Sequence, residues 1–254
     1  HDPHGWEDGD GTIPNLSVGR EETLCLTCHD GAHGAPDVRT DARKFYAHPT
    51  TRFTGRHSGP GESNPSDFGI SPLDHRHAEC EDCHNPHVAR ADFGLPAPPP
   101  AASKTLLGVS RVAVLNGAAG AAPAYTFIPA ADTTTAPVAE YHLCFKRHSS
   151  WTTQPNGQTD LGKVLTPSNP SFDPIEAAGT NANIAPGAFV GGWNSSSLLR
   201  CGDCHGSDPG GSRGPHGSIY ASILPKPSVV SPSSHVSTPD ELCFTCHTFD
   251  VYAN

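Results

Sequence analysis

Eight of the nine cysteines in this chain occur in four copies of one short motif, Cys-x-x-Cys-His. This motif is typical of covalent c-type haem attachment. Two cysteines one helical turn apart form thioether bonds to the porphyrin, and the adjacent histidine becomes the proximal iron ligand. The sequence therefore predicts four covalent haem c groups. The attachment residues are Cys25, Cys28, Cys80, Cys83, Cys201, Cys204, Cys243 and Cys246, and the proximal ligands are His29, His84, His205 and His247.

A fifth, degenerate copy of the motif lies at residues 144–148. It keeps Cys144 and His148 but has Arg147 where the second thioether cysteine belongs. Two interpretations remain open from these residues. Either a haem is attached through Cys144 alone with His148 as its ligand, or the haem has been lost and Arg147 fills part of the space.

Histidine is the expected sixth ligand, because the chain contains 16 His and no Met. His87 lies three residues after His84, so it cannot bind the iron beside which it sits, but it can reach a neighbouring one. His77, three residues before Cys80, is similar. Further candidates, in decreasing order, are His235 and His4, then His57 and His75. We expect His1, His33 and His142 to be solvated or hydrogen-bonded and to bind no metal.

The composition predicts an irregular fold. Leu, Ile, Val and Phe form about 18% of the chain, below the roughly 20% that marks disordered sequences, and there are 26 Gly and 26 Pro. Such a chain buries too little apolar surface to offset the entropy of ordering. We expect haem to supply the missing core. The predicted fold class is mostly coil with short helices and few short strands, wrapped around a haem chain as one elongated domain over residues 1–254. A Pro/Ala-rich, haem-free stretch is expected at about 96–143.

Local patterns predict a few elements within this coil. Short helices are expected at 21–29 and 239–247, the second with Thr238 as N-cap and Glu241 at the capping-box spacing. A short strand pair is expected within 106–115, beside the Asn116-Gly117 turn. Residues 163–197 are expected to form an ordered loop.

The net charge and the hydropathy of the sequence limit which partners and which cellular compartment we expect. The formal net charge of −10 argues against nucleic acid as a partner. No apolar run approaches the roughly 18 residues of a membrane helix, so no membrane span is expected. Thioether attachment of haem takes place outside the cytoplasm. We therefore expect removal of a signal peptide and a periplasmic or extracellular location.

Several other functions compete with haem binding. Zinc ribbons pair two Cys-x-x-Cys knuckles about 15–20 residues apart, whereas these pairs are more widely spaced and each ends in His. Structural disulfides would not explain the trailing His. A multihaem reductase needs an open iron site, often with Lys as the proximal ligand, and no such motif occurs. A monomeric electron shuttle with the same haems is the main alternative to an assembled electron conduit.

A resemblance covers most of the chain. CLTCHDG, HAECEDCHNPH, LGVSRV, EYHLCFKRH and CGDCHGSDPGGSRGPHGS together resemble the outer-surface multihaem c-type cytochromes of metal-reducing bacteria. Within that set the chain is most similar to the tetrahaem subunit of extracellular cytochrome filaments. The resemblance implies electron transfer through closely packed bis-histidine haems, with no enzymatic activity. It also implies His48 and His216 as distal ligands. The implied partners are further copies in a head-to-tail homopolymer, other multihaem cytochromes and extracellular acceptors such as metal oxides.

The chain departs from the resemblance at the degenerate motif. Related sequences commonly read Cys-Phe-Lys-Cys-His there, and a later loop reads Phe-His-Pro-Val with a distal histidine. Here Arg147 and Asp173 replace the second cysteine and that histidine. Because the replacements carry opposite charges, we predict a salt bridge between them in place of the third haem. The expected total is four haems, or five if Cys144 and His148 retain one.

Overall fold

Short helices joined by coil make up most of the structure, a computed structural model that describes residues 6–7, 12–13, 21–51, 63, 65, 78–90, 97–135, 138–152, 158–228 and 236–253. Helices account for 28% and strands for 11%, so coil is the majority. The irregular fold class predicted from composition is confirmed at this level.

Seven short α-helices lie in the described part of the chain, and five of them contain or adjoin a cysteine motif or its ligands. They are α1 (Glu21–Cys28), α2 (Val38–Asp41), α3 (Cys80–Cys83), α4 (Glu140–His148), α5 (Leu161–Leu165), α6 (Cys201–Cys204) and α7 (Phe249–Tyr252). Single 3-10 turns occur at Lys104–Leu106, Ala130–Thr133, Ala221–Ile223 and Leu242–Thr245. The strands form three antiparallel pairs: β1 (Trp6–Glu7) with β2 (Thr12–Ile13), β3 (Tyr46–Ala47) with β6 (Gly217–Ser218), and β4 (Arg111–Leu115) with β5 (Ala124–Ile128).

The β4–β5 hairpin and α4 enclose the apolar core of the described residues. The ladder pairs Arg111 with Ile128 and continues to the end of β4. Helix α4 packs across β4, and Val112, Phe145 and Ile175 form the fully enclosed cluster. A cluster of three residues is small for a chain of this length, as the composition predicts. Because Phe145 follows Cys144 directly, this core holds the degenerate motif in place.

The β3–β6 pair joins two distant parts of the chain. Tyr46 lies opposite Ser218 and Ala47 opposite Gly217. A Cβ on Gly217 would lie 1.9 Å from the carbonyl oxygen of Asp41, so only glycine allows β6 to approach the end of α2 this closely. This approach brings the segment after α6 against the segment after α1.

The predicted helix at 239–247 is wrong in extent. Only the 3-10 turn Leu242–Thr245 forms, because the backbone N–H of Leu242 donates to the carbonyl of Pro227 instead of extending a helix. Half of the predicted capping box is present. The Glu241 carboxylate accepts the backbone N–H of Thr238 at 2.6 Å. The predicted helix at 21–29 is confirmed as α1.

The strand predicted within 106–115 is only partly right. Residues 104–106 form a 3-10 turn, and Gly108 adopts a left-handed conformation with φ of +76° that interrupts the extended chain. The strand therefore begins at Arg111. Its partner strand begins at Ala124, so residues 116–123 form a longer connection than a tight Asn116-Gly117 turn. The Asn116 amide donates to the Glu176 carboxylate at 2.7 Å. The loop predicted at 163–197 is confirmed beyond the end of α5.

Candidate haem-attachment site

The four complete motifs share one local geometry. In each, the backbone N–H of the histidine donates to the carbonyl of the first cysteine, at distances between 2.8 and 3.0 Å. This bond closes one helical turn, which is the spacing that two thioether bonds to one porphyrin require. The degenerate motif lies within α4, so it follows the same helical path. The histidines that these bonds position are His29, His84, His205 and His247.

In two motifs an aspartate closes the start of the turn. The Asp82 carboxylate accepts the backbone N–H of Glu79, and the Asp203 carboxylate accepts that of Arg200, both at 2.7 Å. An acidic residue at this position satisfies an otherwise unpaired helix N-terminal donor and complements the helix dipole. These short helices are therefore stabilised locally, which compensates for their small apolar contacts.

The cysteines of successive motifs are neighbours in space. The Cys25 and Cys80 thiols hydrogen-bond to each other, and this contact lowers the pKa of Cys25. Helices α1 and α3 pack together around them. Burial is the main cause that raises the pKa of the Cys83 thiol to about 12, and nearby Cys144 contributes to this shift.

The cysteines of the later motifs also lie near those of the next motif along the chain. A hydrogen bond with Cys201, together with burial, raises the pKa of the Cys144 thiol. Burial also raises the pKa of Cys204 to about 11, with Cys246 among the nearby groups that add to the shift. The five motifs thus form one row of adjacent sites in chain order. Cys144 lies at its centre.

Among the described residues, five histidines have their Nδ1 atoms bound to oxygen, three of them to backbone carbonyls. His84 donates to the carbonyl of Thr105 at 2.9 Å, and His205 donates to the carbonyl of Ser222 at 2.8 Å. His48 donates to the carbonyl of Pro215 at 2.8 Å. Such a bond fixes the tautomer and leaves Nε2 for a metal, which is the usual arrangement of metal-binding histidines. The other two are His33, whose Nδ1 is bound to the Asp30 carboxylate, and His216, whose Nδ1 is bound to a serine hydroxyl.

The Nδ1 atom of His216 is held by a short relay. It contacts the Ser212 hydroxyl at 3.0 Å, and that hydroxyl donates to the buried Asp41 carboxylate. Since the hydroxyl hydrogen is directed to Asp41, the serine oxygen accepts from the His216 ring. Burial lowers the pKa of His216 to about 4, which keeps its ring neutral at pH 7. A neutral imidazole is the form that binds iron.

Two pairs of imidazole rings lie at the separation of axial ligands. The ring centres of His84 and His216 are 6.1 Å apart, and those of His48 and His148 are 6.3 Å apart. Two imidazoles bound through Nε2 to opposite sides of one iron, each at about 2.0 Å, have ring centres roughly 6.2 Å apart. The sequence suggested His48 and His216 as distal ligands but did not assign their partners. Among the described residues, no second imidazole ring is paired in this way with His29, His205 or His247.

The remaining candidate histidines divide into two groups. His87 is exposed at the end of the second motif. The ring of His33 is 61% exposed and contacts Asp30, as expected for a histidine without a metal role. Burial lowers the pKa of His142 to about 4, and its ring packs edge-on against Tyr141. The other predicted candidates lie outside the described residues: His77, His235, His4, His57, His75 and His1.

The predicted salt bridge between Arg147 and Asp173 is wrong. Arg147 instead pairs with the Asp82 carboxylate at 2.6 Å. Asp173 lies near Cys204, whose pKa it helps to raise. Arg147 and Asp173 do not pair because they lie in different places. Helix α4 lies beside α3, whereas the loop that carries Asp173 lies near Cys204. The sequence showed two opposite charges but not where each would lie.

Two further buried cations surround the degenerate motif, and sequence reasoning missed both. Arg111 is fully buried and donates to the carbonyls of Ala139 and Leu106. Lys146 is buried and donates to the Ser110 hydroxyl at 2.7 Å. No sequence pattern separates these cations from solvated ones. Their burial follows from the packing of α4 on β4.

The competing metal sites find no support in this arrangement. In the described ranges, no three His, Cys, Asp or Glu side chains converge as a metal site. All nine cysteines are described, and all are free in this structure. By contrast, the helical Cys-x-x-Cys-His turns, the oriented imidazoles and the two ring separations fit covalent bis-histidine haem.

No protein-family model, curated protein or solved structure matches this chain. None of the helices in the described ranges is both long and apolar enough to cross a membrane.

Proposed function

We propose that this protein is an electron-transfer protein, not an enzyme, and that its four complete motifs carry covalent haem c. The thioether residues are the eight cysteines of these motifs. The proximal ligands are the four histidines that close the motif turns, and His216 is the distal partner of His84. The observation that carries the proposal is the placement of the motifs beside one another in chain order, with the degenerate motif between Cys83 and Cys201.

The residues of the chain have three tasks in this function. Cysteines tether each porphyrin to a short helix and set the spacing between neighbours. Backbone carbonyls orient the imidazoles of His48, His84 and His205 through Nδ1, which would leave Nε2 of each to bind an iron. The bound groups supply one-electron chemistry, cycling between Fe(III) and Fe(II) without change of ligand.

The resemblance supports a finer proposal, that the chain is the repeating subunit of a conductive extracellular filament. Copies would associate head to tail, and other multihaem cytochromes and metal oxides would exchange electrons with the ends. The acidic net charge of −10 fits a cell-surface protein that binds basic partners or oxide surfaces. One described feature is consistent with such contacts. Phe45 directly precedes β3 and Ile219 directly follows β6, so the two residues lie beside each other at one end of this strand pair. Their side chains are 88% and 60% exposed.

The haem proposal is tested by mass and spectrum on the full chain from the cells that produce it. Intact mass in denaturant counts covalent haems, and at least four are expected. The oxidised and reduced spectra are expected to be those of six-coordinate low-spin haem. A chain without covalent haem, or one that binds zinc stoichiometrically through its cysteines, would overturn the proposal.

The filament proposal is tested by cryo-electron microscopy of the native extracellular fraction. Filaments of this subunit with close haem contacts across each interface are expected. Discrete monomers at high concentration would instead identify a soluble multihaem shuttle, which leaves the electron-transfer function intact.

A further inference from the structure

We propose that the degenerate motif binds a fifth haem, tethered by one thioether bond to Cys144 with His148 and His48 as its axial ligands. This inference rests on the proposed function, because it assumes that the four complete motifs carry haem. It reverses the expectation that Arg147 marks an empty site.

The first argument is the ring pair. His48 and His148 come from segments far apart in the sequence, yet their ring centres are 6.3 Å apart. The pair at the complete second motif, His84 and His216, has nearly the same separation of 6.1 Å. His48 also has its Nδ1 atom bound to a backbone carbonyl, which leaves Nε2 as its metal-binding atom. The degenerate site thus has nearly the same separation of imidazole ring centres as a complete one, although the ring planes meet at 51° instead of 24°.

The second argument is position in the row. Cys144 lies between Cys83 of the second motif and Cys201 of the fourth. A missing group here would divide the row at its centre and leave two separate pairs. A fifth haem makes one continuous path from the first motif to the last.

The third argument is the place of Arg147. Its guanidinium pairs with Asp82 of α3, so this ion pair joins the degenerate motif directly to the motif at Cys80–His84. A second thioether bond would have fixed α4 to its porphyrin at this position. The ion pair fixes α4 to the neighbouring motif instead. The side chain of Asp82 is only 2% exposed, so the pair is well shielded from solvent.

The fourth argument is an uncompensated charge. Arg111 is fully buried beside the sulfurs of Cys83 and Cys144, and its Nε atom has no hydrogen-bond partner. Glu140 is nearby, but its carboxylate accepts the backbone N–H of Gly202 and makes no ion pair with Arg111 among the described residues. A buried cation in this condition favours an anionic ligand, and haem carries two propionates.

The attachment step balances without a further reactant. The Cys144 S–H adds across one vinyl C=C bond of the haem. The sulfur bonds to the carbon nearer the ring, the thiol hydrogen ends on the outer carbon, and nothing leaves. Because Arg147 has no thiol, the second vinyl group remains intact.

The test uses peptide mapping of the full native chain. Cleavage after lysine gives a peptide of residues 105–146, in which Cys144 is the only cysteine. We expect this peptide to carry one haem and the denatured chain to carry five. The pyridine haemochrome band of the peptide should lie at longer wavelength than that of a complete-motif peptide, because one vinyl group stays conjugated.

An Arg147→Cys variant provides the matched control. It is expected to keep five haems while the band at this site moves to the position of the other four. A His48→Ala variant is expected to keep the covalent haem but to convert one of five haems from low-spin to high-spin, with His33→Ala unchanged. Four haems with an unmodified 105–146 peptide would overturn the inference alone. A chain without any covalent haem would overturn the proposed function as well.

Discussion

At the scale of single residues, the candidate site depends on which nitrogen each imidazole presents. Histidine binds a metal through one nitrogen while the other is held by a second group. His84, His205 and His48 are held by backbone carbonyls, which cannot change protonation state. Their orientation therefore persists whatever the oxidation state of the bound group.

We expect the His216→Ala variant to keep its covalent haem count but to lose one bis-histidine site. Its ring faces His84 at axial separation, so removing it opens one iron to water. Near-infrared or electron paramagnetic resonance spectroscopy of the oxidised protein measures the high-spin fraction. We expect about one haem per chain to become high-spin. His33→Ala serves as the control because its ring is exposed. An unchanged spectrum in the His216 variant would assign the distal ligand elsewhere.

At the scale of elements, the α2 helix and the β3–β6 pair depend on one buried carboxylate. Lys44 pairs with Asp41 at 2.6 Å and with Asp208 at 2.7 Å, and Ser212 donates to Asp41 from its backbone and hydroxyl. Burial alone would raise the pKa of Asp41, but the bonds from Lys44 and Ser212 outweigh it and lower the pKa. The ionised form is therefore the one that the fold stabilises.

Asp41→Asn is expected to lower the free energy of unfolding by about 1–3 kcal/mol at neutral pH. A lowered pKa means that the stabilisation is present above the ordinary Asp range and is lost as the pH falls through the lowered value. The wild-type chain should therefore lose stability on acidification while the variant loses less. Thermal melts between neutral and acidic pH measure this, with exposed Asp132→Asn as control. Parallel pH curves for both proteins would contradict the role given to Asp41.

The hairpin and α4 form the other element that positions the site. We expect Phe145→Ala to lower the free energy of unfolding by about 3–5 kcal/mol, because it opens a cavity in the buried cluster that Phe145 forms with Val112 and Ile175. Leu115→Ala on the same hairpin is the matched control, since Leu115 is 72% exposed. Denaturant unfolding followed by tryptophan fluorescence and by the haem spectrum compares the two. Equal losses would show that this cluster is not the core of the hairpin.

At the scale of the whole molecule, the row of motifs has two ends, and the proposed electron transfer beyond the chain would require contacts between this chain and other molecules. Phe45 and Ile219 are apolar and exposed on adjacent positions beside β3–β6. We expect the Phe45→Ser and Ile219→Ser double variant to reduce self-assembly while leaving the haem count and spectrum unchanged. Light scattering and electron microscopy at matched concentration measure assembly. Val164→Ser, at an exposed position of α5, is the control. Unimpaired assembly in the double variant would exclude the surface of Phe45 and Ile219 as the contact.

The sequence by itself determined the local turns of the Cys-x-x-Cys-His motifs and the irregular character of the fold. Both are local properties. A Cys-x-x-Cys-His segment forms its turn through a bond between residues four apart, and a chain poor in large aliphatic residues cannot build an extended core. Helix α1 and the loop after α5 were predictable for the same reason. The 3-10 turn at Leu242–Thr245 was not, because the carbonyl of distant Pro227 takes the N–H that a longer helix would use.

Only the tertiary structure decided which groups meet. Arg147 and Asp173 carry opposite charges, but pairing depends on distance, and α3 brings Asp82 to Arg147 instead. The partners of His84 and His148 are likewise 132 and 100 positions away in sequence, at His216 and His48. No local pattern encodes such contacts. They arise because Gly217 lets β6 approach α2 and because α4 packs on β4, which together bring the histidines of separate segments to one row of sites.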